Sequence, residues 1–599
     1  MGASNPPVPA GMRLRPDPGA RLVAGGSVLV GGSPVRVLRL TRAGARQVTS
    51  WFAGAPVPAA TAARTLARRL LDAGIADPDF GDPGLARQDD ADPDRVPADR
   101  TARPPRDAAV PQGPGPADVT VVIPVRDRHA ELDRCLSGLR APASSSDESR
   151  APQIIVVDDA SADPAAIAAI AARHGASVIH RPVNGGPGAA RNTGLAAAET
   201  GFVAFLDSDC VPKPGWLGRL LPHFADPAVG AVAPRIVPHQ AGAGWLARYE
   251  GASSTLDMGA RPSIVRPGAC VSYVPGAALV VRRSAAGDGF RDGMYVGEDV
   301  DFVWRLAATG WRVRYEPGAT MGHDHRVTFR AWFARRADYG TSAAALEDLH
   351  PGAVRPLYAS WWTVGAWTAA LAGRPVTAAA LTATATALLA RRLSRVTAER
   401  WPLPAPRPAP APRRTQAPLS DPTPPSPADN SKKPPGHPGR EKMVDSSAHP
   451  DVENYPPSSP EPDNSKRRLR LRSGLAVLGW GLAGTGRESA AWELAIRLAG
   501  GGTLAAARPI GSALSRTWWP VAIPAALAVR KLRLPVAALI LAPPLLDWAD
   551  RRPPLDPARY VAARLLDDAA YSIGVWQGCV RRRTARPLLP VIGGKRQPG

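Results

Sequence analysis

The chain has 599 residues, of which 44% are hydrophobic and 21% are charged, so we expect several domains and at least one large core. Its 74 Lys and Arg against 52 Asp and Glu give a formal net charge of +22, which suits nucleic acid, an anionic membrane or phosphorylated substrates. No zinc-finger spacing or aromatic-basic RNA-binding signature accompanies this charge, and we therefore expect no nucleic acid as a partner.

The cysteines and the amino terminus indicate the compartment. The 4 cysteines form no CxxC pair, which is typical of a reducing compartment without a disulfide framework or a zinc site. The amino terminus is rich in Pro and Gly and lacks an apolar signal core. We therefore expect a protein that is not secreted and that lies in the cytoplasm or at the cytoplasmic face of the cell membrane.

Residues 12–82 are predicted to form a small domain in which short strands precede helices. Apolar or alternating runs at residues 21–23, 27–30 and 35–40, separated by glycine turns, predict three strands. Thr41 is placed to cap the first helix, and leucines line one face of a later helix. This arrangement resembles the PqqD-like, winged-helix-type module of peptide-modification pathways; a purely structural cap is the alternative.

Residues 83–117 are rich in Asp, Arg and Pro and are predicted to be a linker, whereas residues 118–345 carry the pattern of an α/β domain. Four apolar strands are predicted, at residues 119–124, 153–159, 177–180 and 202–206. Helical patterns follow the first three of them. The pattern predicts a parallel sheet covered on both faces, with ligands bound at the carboxyl ends of its strands.

The carboxyl-terminal part is divided by composition. Residues 346–400 are predicted to be helical, residues 401–468 to be a disordered Pro-rich linker, and residues 469–599 to be apolar helices. Three apolar runs, at residues 376–390, 518–529 and 534–546, are shorter than the ~20 residues that a spanning helix needs. Basic residues and tryptophans beside them favour association with a membrane surface; buried core helices are the alternative.

Two aspartates, Asp207 and Asp209, follow the strand predicted at residues 202–206. Because residues i and i+2 of a strand project to the same face, we expect both carboxylates to leave the strand end together. Such a pair suits Mg²⁺ or Mn²⁺, which take their other ligands from water and phosphate. The motif predicts a divalent metal that holds the diphosphate of an activated donor, and a plain acidic loop is the alternative.

Further candidate residues recur at the ends of the predicted strands and in the loops between them. In chain order the candidates are Pro124, Arg126, Asp158, Asp159, Gly186, Arg191, Asp207, Asp209, Glu298, Asp299, His323, His325, Arg335 and Arg336. This ordered series resembles the family-two inverting nucleotide-sugar glycosyltransferases of GT-A fold over residues 118–345. The resemblance implies a GT-A nucleotide-sugar-binding domain and a UDP-sugar as donor.

The resemblance also implies a role for each motif. Asp158 and Asp159 would contact uridine, since a carboxylate at a strand end can accept hydrogen bonds from a nucleotide; capping of the next helix by Asp159 or Ser161 is the alternative. The glycines around Gly186 would let the backbone approach the ligand closely, and the Arg191 guanidinium would donate hydrogen bonds to the base or to a phosphate. Pro124 and Arg126 would complete the nucleotide site.

The acidic pair Glu298 and Asp299 would supply the catalytic base that takes a proton from the acceptor hydroxyl. We assign Asp299, with Glu298 as the second choice; a helix start also favours carboxylates electrostatically. His323 and His325 would complete the metal site, a structural role being the alternative. Arg335 and Arg336 would lie on an active-site segment.

The overall layout resembles one subgroup in particular, the glycosyltransferases of the mycofactocin pathway in actinobacteria. It implies transfer of glucose from UDP-glucose to a redox-cofactor precursor made from a ribosomal peptide's C-terminal Val-Tyr, with the amino-terminal module gripping peptide or a pathway partner. Tyr273 and the turn after it are expected to line the acceptor pocket.

Two other function classes remain open on the sequence. One is a membrane-associated glycosyltransferase that makes a cell-envelope glycan or glycolipid. The other is a catalytically inactive GT-A scaffold that acts in protein interactions. The intact Asp-Ser-Asp, Glu-Asp and His-Asp-His motifs argue against the inactive scaffold. The chain also lacks the Gln-x-x-Arg-Trp pattern of processive synthases, which argues against a long-polymer product.

Overall fold

A computed structural model describes residues 6–23, 26–81, 113–140, 151–240, 242–325, 328–398 and 486–593. The predicted linker lies outside the described residues up to residue 112, and the predicted Pro-rich linker at residues 401–468 lies wholly outside them.

The amino-terminal module is a short meander followed by helices. Its elements are β1 (Arg13–Pro16), β2 (Arg21–Val23), β3 (Val28–Gly31), β4 (Arg36–Arg39), α1 (Arg42–Phe52), α2 (Thr61–Asp72) and β5 (Ala76–Asp79). Strands β2, β3 and β4 pair antiparallel in sequence order, which confirms the predicted meander. Thr41 caps α1 as predicted, since its hydroxyl accepts a 3.0 Å hydrogen bond from the Gly44 amide. The antiparallel pair of β1 and β5 was not predicted, because these strands lie far apart in sequence and contain Pro and Asp.

Two arginine–aspartate pairs attach this module to the domain that follows it. Arg68 makes hydrogen bonds of 2.7 and 2.6 Å to the two carboxylate oxygens of Asp226, and both side chains are buried. Arg312 likewise donates hydrogen bonds of 2.9 and 2.7 Å to the two carboxylate oxygens of Asp72. Bidentate pairs of this kind fix orientation as well as contributing energy, so the module is docked in one defined position.

The α/β domain follows. Its elements are β6 (Val119–Val125), α3 (His129–Arg140), β7 (Gln153–Asp159), α4 (Pro164–Arg173), β8 (Ser177–Arg181), α5 (Gly186–Ala197), β9 (Phe202–Leu206), β10 (Cys210–Pro212), α6 (Trp216–Leu220), β11 (Val229–Pro238), α7 (Trp245–Ser253), β12 (Ser263–Val265), β13 (Ala278–Arg282), α8 (Glu298–Ala308), β14 (Arg312–His323) and α9 (Phe329–Leu349). The four strands predicted from their apolar runs are β6, β7, β8 and β9, and all four are confirmed.

The prediction of an all-parallel sheet is wrong for half of the domain. Strands β6 to β9 are parallel to one another in the order β9-β6-β7-β8. Beyond β9 the sheet continues through β13, β11, β14 and β10, and the β9–β13, β13–β11 and β14–β10 pairs are antiparallel. An apolar run reports burial on both faces but not strand direction, so the sequence pattern does not separate the two arrangements. Helices on both faces bury two apolar cores against this mixed sheet.

The carboxyl-terminal part is helical. Its elements are β15 (Tyr358–Ala359), α10 (Trp361–Leu371), α11 (Pro375–Ala398), α12 (Gly486–Ala495), α13 (Gly501–Ala505), α14 (Ala507–Arg516), α15 (Trp519–Ala528), α16 (Arg533–Arg551), α17 (Pro557–Arg581) and β16 (Val591–Ile592). Among the described residues, one helical stretch of 22 residues, Arg530–Arg551, is long and apolar enough to cross a membrane by length and composition, and 11% of its apolar window is buried. The prediction that the run at residues 534–546 is too short is therefore wrong, because the helix extends beyond the run at both ends.

Helices α9 and α17 pack with their backbones in direct contact. A Cβ added at Gly340 of α9 would lie 2.1 Å from the carbonyl oxygen of Tyr571, and one at Gly574 of α17 would lie 1.8 Å from that of Ala337. Gly578, one turn later, would clash with Thr341 in the same way. Glycines at these three places let the two helix axes approach closely, and this contact joins the carboxyl-terminal helices to the α/β domain.

Candidate active site

A cavity of about 1100 Å³ opens at the carboxyl ends of the parallel strands. It gathers most of the residues that the sequence singles out: Pro124, Arg126, Asp159, Gly186, Arg191, Asp207, Asp209, Glu298, Asp299, His323, His325 and Arg335. Asp158 and Arg336 are not among its lining residues. None of the described residues of the amino-terminal module lines it either.

At one end of the cavity, Asp159 holds the start of the glycine-rich loop. Its carboxylate accepts hydrogen bonds from the Gly185 and Gly186 amides at 3.1 and 2.8 Å, and from Arg181. Gly186 has φ of +82°, and a Cβ there would lie 2.8 Å from the ring of Tyr295. Two independent reasons therefore favour glycine at this position: its backbone conformation and the close approach of the Tyr295 ring.

Asp158 does not face this cavity, so the predicted contact between Asp158 and the nucleotide is not what the structure shows. Its side chain is buried, accepts a 3.0 Å hydrogen bond from the Ser161 amide and lies 2.9 Å from Nδ1 of His180. Neighbouring residues of a strand point to opposite faces, so only one of the two aspartates can reach the cavity. Neither Asp159 nor Ser161 caps the next helix; Asp163 does, accepting a 3.0 Å bond from the Ala166 amide.

Asp207 and Asp209 both line the cavity, but not for the predicted reason. Strand β9 ends at Leu206, and the aspartates lie in a tight turn closed by a 3.0 Å hydrogen bond from the Cys210 amide to the Asp207 carbonyl. The two carboxylates have different partners. Asp207 accepts a 2.6 Å bond from Arg191, whereas Asp209 accepts a 2.7 Å bond from Arg128.

The donor set around Asp209 fits a divalent cation. The ligand atoms of Asp209, Cys210 and His323 lie within 4.8 Å of one another, and Nε2 of His323 is 3.6 Å from Oδ1 of Asp209. Nδ1 of His323 is buried without a hydrogen-bond partner among the described residues. Burial and the neighbouring aspartates raise the pKa of the Cys210 thiol well above its ordinary value. Within this group, the carboxylate of Asp209 and the imidazole of His323 are ligands of the kind that Mn²⁺ or Mg²⁺ accepts, whereas a thiol is a softer ligand.

Asp207 and His325, the other predicted metal ligands, lie outside that group. Asp207 is engaged by Arg191. His325 has its Nδ1 3.9 Å from a carboxylate oxygen of Glu250. Burial, together with the adjacent His323, lowers the pKa of His325 to about 4, so its imidazole is neutral at physiological pH.

The acidic pair begins α8 directly after Gly297, whose φ of +82° turns the chain into the helix. Glu298 is buried and accepts a 2.9 Å bond from Arg191. Burial, reinforced by the charge of Asp299 and opposed by that of Arg191, raises the pKa of Glu298 to about 7. Asp299 is half-buried, and its two oxygens accept backbone bonds of 2.7 and 2.8 Å from the Gly276 and Val300 amides. Of the pair, Asp299 is therefore the carboxylate that stays partly open to the cavity.

Arg191 lines the cavity, so its predicted contact with base or phosphate stays a prediction, and its side chain also joins two carboxylates. Its guanidinium is buried, donates to Asp207 and Glu298, and lies over the ring of Phe290 with its carbon 5.2 Å from the ring centre. These two carboxylates take two of its five N–H donors, and its Nε is buried without a hydrogen-bond partner among the described residues. Arg191 therefore links the turn after β9 to the start of α8 and positions both.

Arg335 and Arg336 point in different directions, because successive residues of an α-helix are turned by about 100°. Arg335 lines the cavity, with its guanidinium carbon 4.9 Å from the centre of the Tyr339 ring. Arg336 is buried, donates to Glu250 and to Thr255, and lies 3.0 Å from Asp567 of α17. The predicted active-site role of Arg336 is corrected: it clamps α7, α9 and α17 together.

The cavity also contains residues that the sequence analysis did not assign. These are Arg128, Tyr295, Tyr339, Arg355, Arg516 and Tyr571. Arg128 could have been predicted from the sequence, because it is a second cation, close to Arg126, after the first predicted strand. Arg516 and Tyr571 had none, because they reach the cavity only through the packing of the carboxyl-terminal helices against α9. Tyr273 and the following turn line the cavity as predicted.

Comparison with known proteins finds glycosyltransferases among the relatives of this chain. Residues 120–287 match the model of the family Glycosyl transferase family 2. A pre-mycofactocin glycosyltransferase from Mycobacterium tuberculosis strain H37Rv is 35% identical over 595 residues, 98% of this chain and 98% of the relative. An uncharacterised protein of strain CDC 1551 is 31% identical over 271 residues, 42% of this chain and 82% of the relative.

A mannosyltransferase from Pyrobaculum calidifontis, solved in complex with GDP-mannose and Mn²⁺, is similar over 48% of this chain and 80% of its own, with 22% identity and a TM-score of 0.31. The family match and the mixed sheet together identify the domain as a GT-A-like α/β glycosyltransferase fold.

Proposed function

Because this chain belongs to the family of the pre-mycofactocin glycosyltransferases, we propose that it transfers glucose from UDP-glucose to a peptide-derived redox-cofactor precursor, with inversion at the anomeric carbon. The observation that carries the proposal is one cavity lined both by the Asp209–His323 pair and by the partly open carboxylate of Asp299. The Asp209–His323 pair suits a metal that binds the leaving diphosphate, and the Asp299 carboxylate suits a base for the attacking hydroxyl. A glycosyl transfer needs both in one space.

The donor lies, in this proposal, along the walls formed by Asp159, Gly186 and the turn of Asp207 and Asp209. Asp209 and His323 would hold the divalent ion, which when bound neutralises charge on the departing nucleoside diphosphate. Arg335 lines the same cavity and adds a fixed positive charge, as the leaving group requires. Arg128 holds the Asp209 carboxylate in place at 2.7 Å.

Asp299 acts as the base. It takes the proton of the acceptor hydroxyl while that oxygen bonds to the anomeric carbon, and the bond from that carbon to the diphosphate oxygen breaks on the opposite side. Asp299 is favoured over Glu298 because its oxygens are held by backbone amides alone, whereas Glu298 is buried against Arg191. Two backbone donors also orient the carboxylate without neutralising its charge.

The amino-terminal module is proposed to grip the precursor peptide or a pathway partner. Support comes from its independent apolar core and from its position, since it is docked on the α/β domain through Asp226 and Arg312 while contributing nothing to the cavity walls among the described residues. A separate binding surface is what a delivery role requires.

Association with the cytoplasmic face of the membrane is proposed for the carboxyl-terminal helices. Large apolar side chains are open to solvent there, including Leu534 at 83% and Leu527 at 66% exposure. Arg530, Lys531 and Arg533 lie between these two leucines in the sequence, and a basic face beside apolar side chains suits an anionic lipid surface. Sedimentation with anionic vesicles should fall in Leu534→Glu and stay unchanged in Arg559→Glu, which alters an exposed arginine on α17. Equal sedimentation of both variants would contradict the proposal.

The donor assignment is tested by calorimetry and hydrolysis with UDP-glucose, UDP-galactose and GDP-mannose in Mn²⁺ or Mg²⁺. We expect metal-dependent selectivity for UDP-glucose, lost in Asp209→Ala and kept in Asp550→Ala, whose exposed carboxylate pairs with Arg508. In a second step the peptide-derived precursor is added as acceptor, and mass spectrometry should show that its mass has increased by one or more hexose units. If no donor binds with either metal, the catalytic assignment fails.

A further inference from the structure

The cavity is larger than a single ligand needs. Small-molecule sites typically enclose about 300–1,000 Å³, and this cavity encloses about 1100 Å³. The donor motifs account for the walls near Asp159, Asp209 and His323. The other lining residues include Tyr273, Tyr339, Arg516 and Tyr571, of which the last two belong to the carboxyl-terminal helices α14 and α17.

These four side chains form one group next to the proposed base. The Arg516 guanidinium lies over the ring of Tyr571, with its carbon 4.1 Å from the ring centre. Arg516 and Asp299 both act electrostatically on the Tyr273 hydroxyl, whose pKa burial raises to about 12. Tyr273 therefore lies near both Asp299 and Arg516 in the cavity wall, and its hydroxyl stays protonated.

The helices that carry Arg516 and Tyr571 are held rigidly. Tyr571 lies next to the contact at Gly340, where the α9 and α17 backbones touch. Arg336 of α9 reaches Asp567 of α17 at 3.0 Å, and Asp568 accepts a 2.6 Å bond from Ser515 of α14. A binding wall built on packed helices keeps its geometry better than one built on loops.

We propose that α14 and α17 complete the acceptor subsite of this active site, with Arg516 and Tyr571 holding a flat, uncharged ring of the acceptor beside Asp299. The proposal rests on the proposed glycosyl transfer and adds the ligand class. A guanidinium stacked on a phenol ring presents a flat face, as aromatic rings and pyranose rings require. Asp568 lies 3.5 Å from Arg516 and offsets its charge, so the subsite does not select an anion.

The ring can come from an aromatic acceptor or from a sugar already attached to it. Two probes separate these sources: N-acetyl-tyrosinamide, which offers a phenol, and cellobiose, which offers only pyranose rings. The readouts are UDP affinity by calorimetry and acceptor-stimulated UDP release from UDP-glucose in the full-length protein. The variants are Tyr571→Leu, Tyr571→Phe and Arg516→Gln, with Arg559→Gln as the matched arginine control on the outside of α17, where that side chain is 71% exposed.

We expect Tyr571→Leu and Arg516→Gln to raise the acceptor KM about ten-fold or more, as the loss of one stacking face predicts, with UDP affinity within about two-fold of the native value. Tyr571→Phe keeps the ring, so its acceptor KM should rise less than that of Tyr571→Leu. Circular dichroism checks that each variant is folded.

An unchanged acceptor KM in folded Tyr571→Leu overturns the proposal, as does an equal loss of UDP affinity, since the residue would then serve the donor. A native protein that binds UDP-glucose but is stimulated by neither probe also overturns it and leaves the donor assignment standing. Failure to bind UDP-glucose at all overturns the proposed function, and the acceptor subsite with it.

Discussion

At the donor end of the cavity, the walls come largely from one stretch of chain, between Pro124 and Asp209, whereas the opposite end is assembled from segments as distant as Tyr273 and Tyr571. The donor end consists of short loops at the ends of neighbouring parallel strands, so the sheet alone brings them together. The opposite end depends on two helices packing through glycines. In the proposed function, donor recognition is therefore a property of the α/β domain, while acceptor recognition also requires the carboxyl-terminal helices.

The largest expected effect lies where the two ends meet. Asp299→Asn should lower turnover by about 10²–10⁴-fold, because it removes the base. Its single amide oxygen keeps one of the two bonds that the Gly276 and Val300 amides donate to Asp299. UDP-glucose affinity should be unchanged, which calorimetry measures beside a turnover assay. If Glu298→Gln lowered turnover by this amount and Asp299→Asn lowered it only slightly, the base would be Glu298 instead of Asp299.

Breaking the clamp between the two regions should cost stability. Arg336→Met leaves the carboxylates of Glu250 and Asp567 buried without their cation, and removal of one partner of a buried pair typically costs about 3–5 kcal/mol. The free energy of unfolding in urea measures the loss. Arg582→Met is the control, since that arginine is 53% exposed and lies 3.6 Å from Asp348. Equal losses in the two variants would show that Arg336 does not clamp the helices.

A smaller change tests the helix contact directly. Gly574→Ala places a Cβ 1.8 Å from the Ala337 carbonyl oxygen, so α9 and α17 must separate at a cost of about 1–3 kcal/mol. The acceptor KM should rise more than the donor KM, because the carboxyl-terminal wall moves. Gly502→Ala is the control, as its Cβ meets nothing within 4 Å. A donor KM that rises as much as the acceptor KM would contradict the division between the two ends.

The smallest effect concerns pH. The pKa of Glu298 is raised from 4.5 to about 7 in the folded protein, so its contribution to stability is complete below pH 4.5 and is lost as the pH rises through 7. Glu298→Gln, which does not titrate, should remove up to about 1.4 kcal/mol per pH unit from the slope of unfolding free energy in that window. Denaturant titrations at several pH values measure the slope, and identical slopes in both proteins would contradict the assignment.

Particular residues show which parts of the fold and of the site the local sequence pattern can predict. The runs that predicted β6 to β9 were sufficient because a buried strand must be apolar, and Thr41 was identifiable as a cap from its place before the helix. Asp209, His323 and Asp299 were identified from motif order and do lie in one cavity. Asp158 and Arg336 were assigned from the same motifs, yet each points away from it, since a neighbouring residue in a strand or helix faces another direction.

By itself, the sequence determined the family, the parallel half of the sheet and the chemical character of the donor end, because these depend on residues close together in the chain or on strands that meet at one edge. Only the tertiary structure decided the antiparallel half of the sheet, the pairing of Arg191 with Asp207 and Glu298, and the arrival of Arg516 and Tyr571 beside Asp299. These contacts join residues that no local pattern links. They form because the packing of whole helices and strands, rather than the preference of any single residue, sets which side chains share a space.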